Sequence, residues 1–180
     1  MSRADRERWD EKHRTRPPGA PSELFLSVLP RLPRGGRALD VACGAGAYAA
    51  ALLDHGFSVD GLDLSRVGLD LARERTASPS FRAIQTDLER PGVRDGAAWD
   101  LVLCTSFLER AVLPRLAGWV RPGGHLYFET FHRGHLAGRP HFRPDWVLER
   151  GEIEELFADL EPITRGETDV RAFVLARRPA

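Results

Sequence analysis

The sequence lacks any apolar run approaching the roughly 20 residues that cross a bilayer as a helix, so no transmembrane span is expected. Its opening, Met1 to Arg16, is densely charged and holds no apolar signal-peptide core, which makes a reducing cytoplasm the expected location. Cysteine is scarce. Cys43 and Cys104 are too few for a disulfide scaffold and form no metal-type pair. Net charge is absent as well, because 26 basic residues meet 26 acidic ones. That balance argues against a protein whose main task is gripping a nucleic-acid backbone. Lys12 is the single lysine, a bias of composition to which no function is attached. No internal repeat or low-complexity tract is visible.

What is present suits a globular protein of one domain over residues 1–180, with 42% hydrophobic and 29% charged residues. Residues 1–21 read as an N-terminal arm. Charges of both signs recur there at helical spacing, Trp9 is expected to anchor the arm, and Pro17, Pro18, Gly19 and Pro21 break it. Ser22 caps an expected helix from Glu23 to about Leu32. A β–α alternation then begins. Strands are expected at Arg37 to Ala42, Phe57 to Leu62, Phe81 to Gln85, Trp99 to Cys104 and His125 to Thr130. Helices are expected at Ala47 to His55, from Ser65 to about Arg75, and from about Leu108 to Trp119. An irregular stretch, 131–150, reads as a lid for an acceptor site. After a helix from Glu152 to Ala158, two strands follow, about Ile163 to Thr168 and Val170 to Arg177. Their short connection requires antiparallel pairing, whereas the earlier strands should run parallel with helices on both faces. A doubly wound sheet of this kind binds ligand at the carboxyl ends of its central strands.

The first strand runs into Asp40-Val-Ala-Cys-Gly44-Ala-Gly46 and then a helix. The two glycines let a ligand approach the main chain, and the helix offers free amides at its N-terminus. The same spacing satisfies the dinucleotide fingerprint, so glycines alone do not separate a nicotinamide-dependent oxidoreductase from other nucleoside-binding enzymes. Charge helps. Asp40 would repel a pyrophosphate, whereas S-adenosylmethionine carries an ammonium and a sulfonium and no phosphate. The plainer reading is that Asp40 bonds the amides of its own turn, and both can hold together. Asp63 closes the second strand, where a carboxylate can accept both ribose hydroxyls or cap the next helix. Asp87 follows the third strand. It can take the adenine amino group, with Leu88 against the ring, or simply form a turn.

Leu39 to Gly46, Gly61 to Ser65, Thr86-Asp87, Asp100 to Leu103 and Arg121 to Gly124 together resemble the successive motifs of class I S-adenosylmethionine-dependent methyltransferases. Trp9 to Lys12, Leu108-Glu109-Arg110, Glu129 to Phe131, Gly138 to Pro140 and Pro144 to Glu152 resemble, more narrowly, small bacterial methyltransferases of the tellurite-resistance type. Glu109 stands where the middle motif of that group usually has a histidine. The resemblance implies a doubly wound, mainly parallel α/β sheet of seven strands in the order 3-2-1-4-5-7-6, with one antiparallel strand near the edge. It implies S-adenosylmethionine as cofactor, S-adenosylhomocysteine as product, and a cofactor site from Asp40, Ala42, Cys43, Gly44, Gly46, Asp63, Leu64, Asp87, Leu88, Thr105 and Ser106. Trp9 would fold over the cofactor and Tyr48 would line its methionine end.

Methyl transfer turns a sulfonium into a neutral thioether, so the leaving group needs no acid, and a base is needed only when the acceptor arrives protonated. Candidates for that base are Glu129, His132 and Glu109. Phe107, Phe131 and Trp146 could line an apolar acceptor pocket or serve the core. His125, His132, His135 and His141 lie close in sequence, but their spacing suits neither a helical nor a finger site, and no metal is expected. The expected partner is a small-molecule acceptor, with neither nucleic acid nor membrane, and the chain is expected as a monomer or homodimer. Two other classes stay open: a nicotinamide-dependent oxidoreductase, and a non-catalytic cofactor-binding regulatory protein, which the departure at Glu109 allows.

Overall fold

The computed structural model describes residues 3–90, 96, 98–139 and 141–180. Met1 and Ser2 of the arm and Pro140 of the expected lid lie outside them. Seven strands form one sheet in the order β3-β2-β1-β4-β5-β7-β6, as expected. Contacts divide the chain into two compact units, Met1–Arg94 and Asp95–Ala180.

The first unit holds α1 (Arg3–Thr15), α2 (Glu23–Val28), β1 (Arg37–Val41), α3 (Ala47–Asp54), β2 (Ser58–Asp63), α4 (Arg66–Thr76) and β3 (Phe81–Gln85). β1 pairs parallel with β2, and β2 with β3. Beyond their first residues β1 and β2 are buried throughout, the pattern of strands covered on both faces. Phe25, Leu39, Leu52 and Leu69 are fully buried in this unit. The arm is helical, with Arg3–Glu7, Arg8–Asp5 and Arg14–Glu11 ion pairs along its exposed surface. α2 is shorter than its apolar face predicts. Pro30 has no amide proton to continue the ladder, so Leu29–Arg31 tighten into a 3-10 turn.

The second unit holds β4 (Trp99–Thr105), α5 (Leu113–Trp119), β5 (Val120–Phe131), α6 (Glu152–Leu156), β6 (Glu161–Glu167) and β7 (Arg171–Arg177). β4 and β5 run parallel; β5 pairs antiparallel with β7, and β7 with β6. Phe128 packs on Phe157 with ring centroids 5.2 Å apart, and Tyr127 lies 6.2 Å from Phe173. α5 starts five residues later than the pattern from Leu108 predicts. Pro114 sits in its first turn, where a missing amide costs nothing, but would break a helix begun at Leu108. β5 begins earlier than expected, since Val120 already pairs with Trp99 before a bulge returns His125 to Leu101. The bulge, Arg121 to Gly124, is pinned by Arg121 Nε on Asp100 Oδ1 at 2.6 Å and by two backbone bonds between Gly123, Gly124 and Arg178. The expected irregular stretch 131–150 contains two 3-10 turns, Arg133–Gly138 and Pro144–Trp146.

Candidate functional site

In the first unit, β1 ends where the backbone turns left-handed, at Ala42 with φ 57°, Gly44 with φ 51° and Gly46 with φ 72°. Gly46 is the cap of α3 and is pressed against α4: a Cβ there would meet the Ala72 Cβ at 2.8 Å. Glycine is required at that position both by φ and by space. A Cβ at Gly44 would meet the His13 ring of α1 at 3.1 Å, and one at Gly68 would meet the same ring at 3.0 Å. The Cys43 Sγ sits close over Gly61 of β2, where a Cβ would come within 2.9 Å of it. Cys43 and Cys104 are both buried.

Two carboxylates underlie this loop. Asp63 is buried and takes backbone amides on both oxygens, Gly44 N at 2.7 Å and Ser65 N at 2.7 Å. It therefore ties the end of β2 to the glycine loop. Burial pushes its carboxyl up, and those amides and the nearby His13 pull it back. Asp40 is buried too, and its Oδ2 has no hydrogen-bond partner among the described residues. Burial, reinforced by the charge of Asp63, pushes Asp40 up to about 8, against a lowering contribution from the Ala49 amide. A buried, unpartnered carboxylate oxygen is costly unless something cationic or protic answers it.

α1 docks on this region through Asp10. Its Oδ1 accepts from Ser65 Oγ at 2.6 Å and Val67 N at 3.2 Å, a cap for α4 supplied from outside the helix. Ser65 Oγ itself accepts from Gly68 N at 3.0 Å, so the expected capping by Ser65 is present. Lys12 Nζ lies 3.9 Å above the Trp9 ring. Burial lowers Lys12, with help from Arg16 and Arg8, while Asp63 raises it. Asp10 and His13 supply anchoring contacts for the arm.

The remaining expected cofactor residues have these surroundings. Tyr48 accepts from Ser22 N at 3.2 Å and packs edge-on against Phe25, joining α3 to α2. The Leu64 carbonyl accepts from Gln85 Nε2, and Leu88 is buried. Asp87 accepts from Glu89 N at 3.1 Å and pairs with Arg90, the turn-forming arrangement. In the second unit Thr105 is buried at the end of β4, and Ser106 after it takes φ 54°, rare for a residue other than glycine.

The acceptor-side candidates also lie in the second unit. Glu129 of β5 is fully buried. It accepts from Tyr127 Oη at 2.7 Å and forms a short ion pair with Arg171 of β7. Arg171 in turn donates Nη2 to Ser106 Oγ at 2.7 Å and lies over the Phe131 ring. Both nitrogens of His132 meet the backbone: Nδ1 accepts from Gly134 N, which leaves Nε2 to donate to Thr168 O at 2.8 Å. Glu109 is half-buried, with Oε1 3.4 Å from the Ala111 amide. Arg110 braces the segment beyond, reaching the Asp145 and Val147 carbonyls and Glu152. Phe131, His135, Phe142 and Trp146 form a contiguous ring cluster there, while Phe107 is half-buried near the end of β4. Among the described residues no group of three or more His, Cys, Asp or Glu is placed to hold a metal, and no helix is long and apolar enough to cross a membrane.

Three contributors escaped the sequence reading: Asp10, His13 and Arg171. Their partners lie 55 residues away for Asp10 and 42 for Arg171, so no local spacing signals them.

Residues 38–124 match the model of a methyltransferase domain. A ubiquinone biosynthesis O-methyltransferase of Vibrio parahaemolyticus is 32% identical over 106 residues, covering 55% of this chain and 45% of that protein. Its counterpart from Bordetella avium is 31% identical over 137 residues, 69% of this chain and 56% of that protein. The chain thus spans about half the length of the curated relatives it matches. Among solved structures, TehB from Haemophilus influenzae superposes with a TM-score of 0.75 at 15% identity, covering 96% of this chain and 66% of that one. A magnesium protoporphyrin IX methyltransferase from Synechocystis, solved with bound S-adenosylhomocysteine, gives 0.74 at 17% identity over 97% and 98%. An S-adenosylmethionine-dependent methyltransferase from Mesorhizobium loti gives 0.69 at 23% identity over 86% and 97%. At such identities these structures establish a common fold.

Proposed function

We propose, from the premise that residues 38–124 form a methyltransferase domain of the class I fold, that this protein binds S-adenosylmethionine and passes its methyl group in line to a small-molecule acceptor. Asp40 carries the reading. Its buried, unpartnered oxygen near the Gly44–Gly46 turn gives the cofactor's ammonium a partner, and that ammonium would draw the carboxyl into its ionised form, whereas a pyrophosphate would hold it protonated and gain no charge pairing. The nicotinamide alternative loses support on that ground.

When bound, the cofactor supplies a methyl group on a sulfonium that departs as a neutral thioether. The chain's own residues bind and orient. Asp63 keeps lone pairs on both oxygens after taking the Gly44 and Ser65 amides, and these can accept ribose hydroxyls. The His13 ring lies against the Gly44 face, where a Cβ would come within 3.1 Å of it. α1, fastened by Asp10, holds Lys12 and His13 near Asp63 and limits water there. Rate enhancement then comes from positioning and dehydration, which asks for no acid on the leaving group. Of the candidate bases, Glu129 is committed to Arg171 and Tyr127, and His132 to backbone. Glu109 is the carboxylate with the least commitment.

Calorimetry on the full chain tests the reading. S-adenosylhomocysteine should bind with a Kd on the order of 10 µM or tighter, within the range of enzyme–ligand affinities, and Asp63→Ala should weaken it at least about tenfold. Absence of binding by either S-adenosylmethionine or its product overturns the proposal. A bound cofactor with turnover on no member of a broad acceptor panel would favour the regulatory reading.

A further inference from the structure

The chemistry left unused by the donor side concentrates in the second unit around Arg171. This residue opens β7 opposite Phe131, the last residue of β5. Its Nε meets the fully buried Glu129, whose other oxygen takes the Tyr127 hydroxyl at 2.7 Å. The guanidinium therefore cannot turn without stranding a buried charge. It lies with Cζ 4.3 Å from the centre of the Phe131 ring. Nη2 donates to Ser106 Oγ at 2.7 Å. Two of the five N–H groups are so used, and Nη1 makes no hydrogen bond among the described residues. The side chain is 18% exposed, so the remaining donors sit in a largely dehydrated setting without being sealed.

Ser106 adds a second, independent sign. It holds a left-handed backbone at φ 54° directly after β4, a conformation that costs a non-glycine residue about 1 kcal/mol or more. The strained turn sets its hydroxyl on Arg171, at the carboxyl ends of β4 and β5 where open α/β sheets bind ligands. Beside Arg171 lies an aromatic surface. Phe131, Phe142 and Trp146 are each half-buried, with Phe142 5.7 Å from Phe131 and 5.9 Å from Trp146.

We propose that Arg171 seats a carboxylate on the methyl acceptor, with the acceptor's apolar body against the aromatic surface of Phe131, Phe142 and Trp146. This deepens the methyl-transfer reading and rests on it. A locked guanidinium with an unspent fork matches a planar carboxylate through paired hydrogen bonds. Glu129 neutralises the guanidinium's single charge, so the acid would be held by paired hydrogen bonds, and each further negative charge adds repulsion from Glu129; a singly charged acid therefore fits better than a phosphate dianion. Glu129 is then a positioning residue, and Ser106 shares the ligand-facing side of Arg171.

The test measures binding of benzoate and of its uncharged analogue benzamide to the full chain, with and without saturating S-adenosylhomocysteine. Wild type should prefer benzoate by about tenfold or more. Arg171→Gln should reduce that preference to within about twofold, and Arg171→Lys should keep part of it as a point charge. Equal affinity of wild type for the two ligands overturns the proposal without recourse to any variant. So does a preference that survives Arg171→Gln in a folded protein. Failure of S-adenosylhomocysteine to bind would sink the donor reading separately, because the arm without it still decides the role of Arg171.

Discussion

Asp40 ionises near 3.8 in an unfolded chain, whereas burial and the neighbouring Asp63 push it up to about 8 in the fold. Between those values the folded chain keeps a proton that the unfolded chain has released. This group's contribution to stability is therefore present at low pH and declines as pH rises through that window. A bound ammonium acts the other way, favouring the ionised carboxylate and expelling the proton. Titrating S-adenosylhomocysteine at about pH 6.5 in buffers of different ionisation enthalpy should reveal net proton release, with affinity rising towards pH 8. Asp40→Asn should remove the release, and binding that is indifferent to pH would contradict this account of Asp40. The buried acid in the other unit makes a stability prediction. Tyr127→Phe takes a hydroxyl donor from the fully buried Glu129 and should cost about 2 kcal/mol, read from urea denaturation. Asp40 and Asp63 stand out in the sequence because Asp63 closes β2 and Asp40 stands one residue before the end of β1, ahead of the glycine turn. Arg171 does not, because its meaning comes from a cross-strand partner 42 residues earlier.

The helices and strands were legible wherever periodicity and capping agreed, as with Ser65 before α4. They were misjudged where proline overruled apolar spacing: Pro30 cut α2 short and Pro114 delayed α5. A bulge hid the early start of β5, since Val120 pairs before the Arg121–Gly124 excursion. The arm shows the larger gap. Its helical charge pattern was readable, but Asp10 and His13, which reach α4 and the glycine loop, carry no local signal in the sequence. Asp10→Ala should remove the outside cap of α4 and cost about 1 kcal/mol, lowering Tm by about 2–4 °C. The same change should weaken S-adenosylhomocysteine if α1 guards the loop. A variant with lowered Tm and unchanged cofactor affinity would confine the arm to a structural role.

For the molecule as a whole, the order of its seven strands came with the resemblance that the motif series carries, and no spacing in the sequence alone specifies it. The geometry of the proposed donor side is closer to the sequence. Gly44, Gly46, Asp40 and Asp63 are neighbours in space through one short β–α–β unit, so sequence order nearly dictates geometry. The proposed acceptor side draws on β4, β5, β7 and the turns between 131 and 150, and sequence order says little about which side chains meet there. That is why the expected bases Glu129 and His132 turn out to be bonded within the protein, while Arg171 holds unspent donors. The central claim is that the glycine turn and its two acids receive a sulfonium nucleoside. Its most direct test is side-by-side calorimetry of S-adenosylhomocysteine and NAD on the full chain. The account predicts saturable, one-to-one binding of the former and none of the latter. Binding of NAD alone, or of neither ligand, would contradict it.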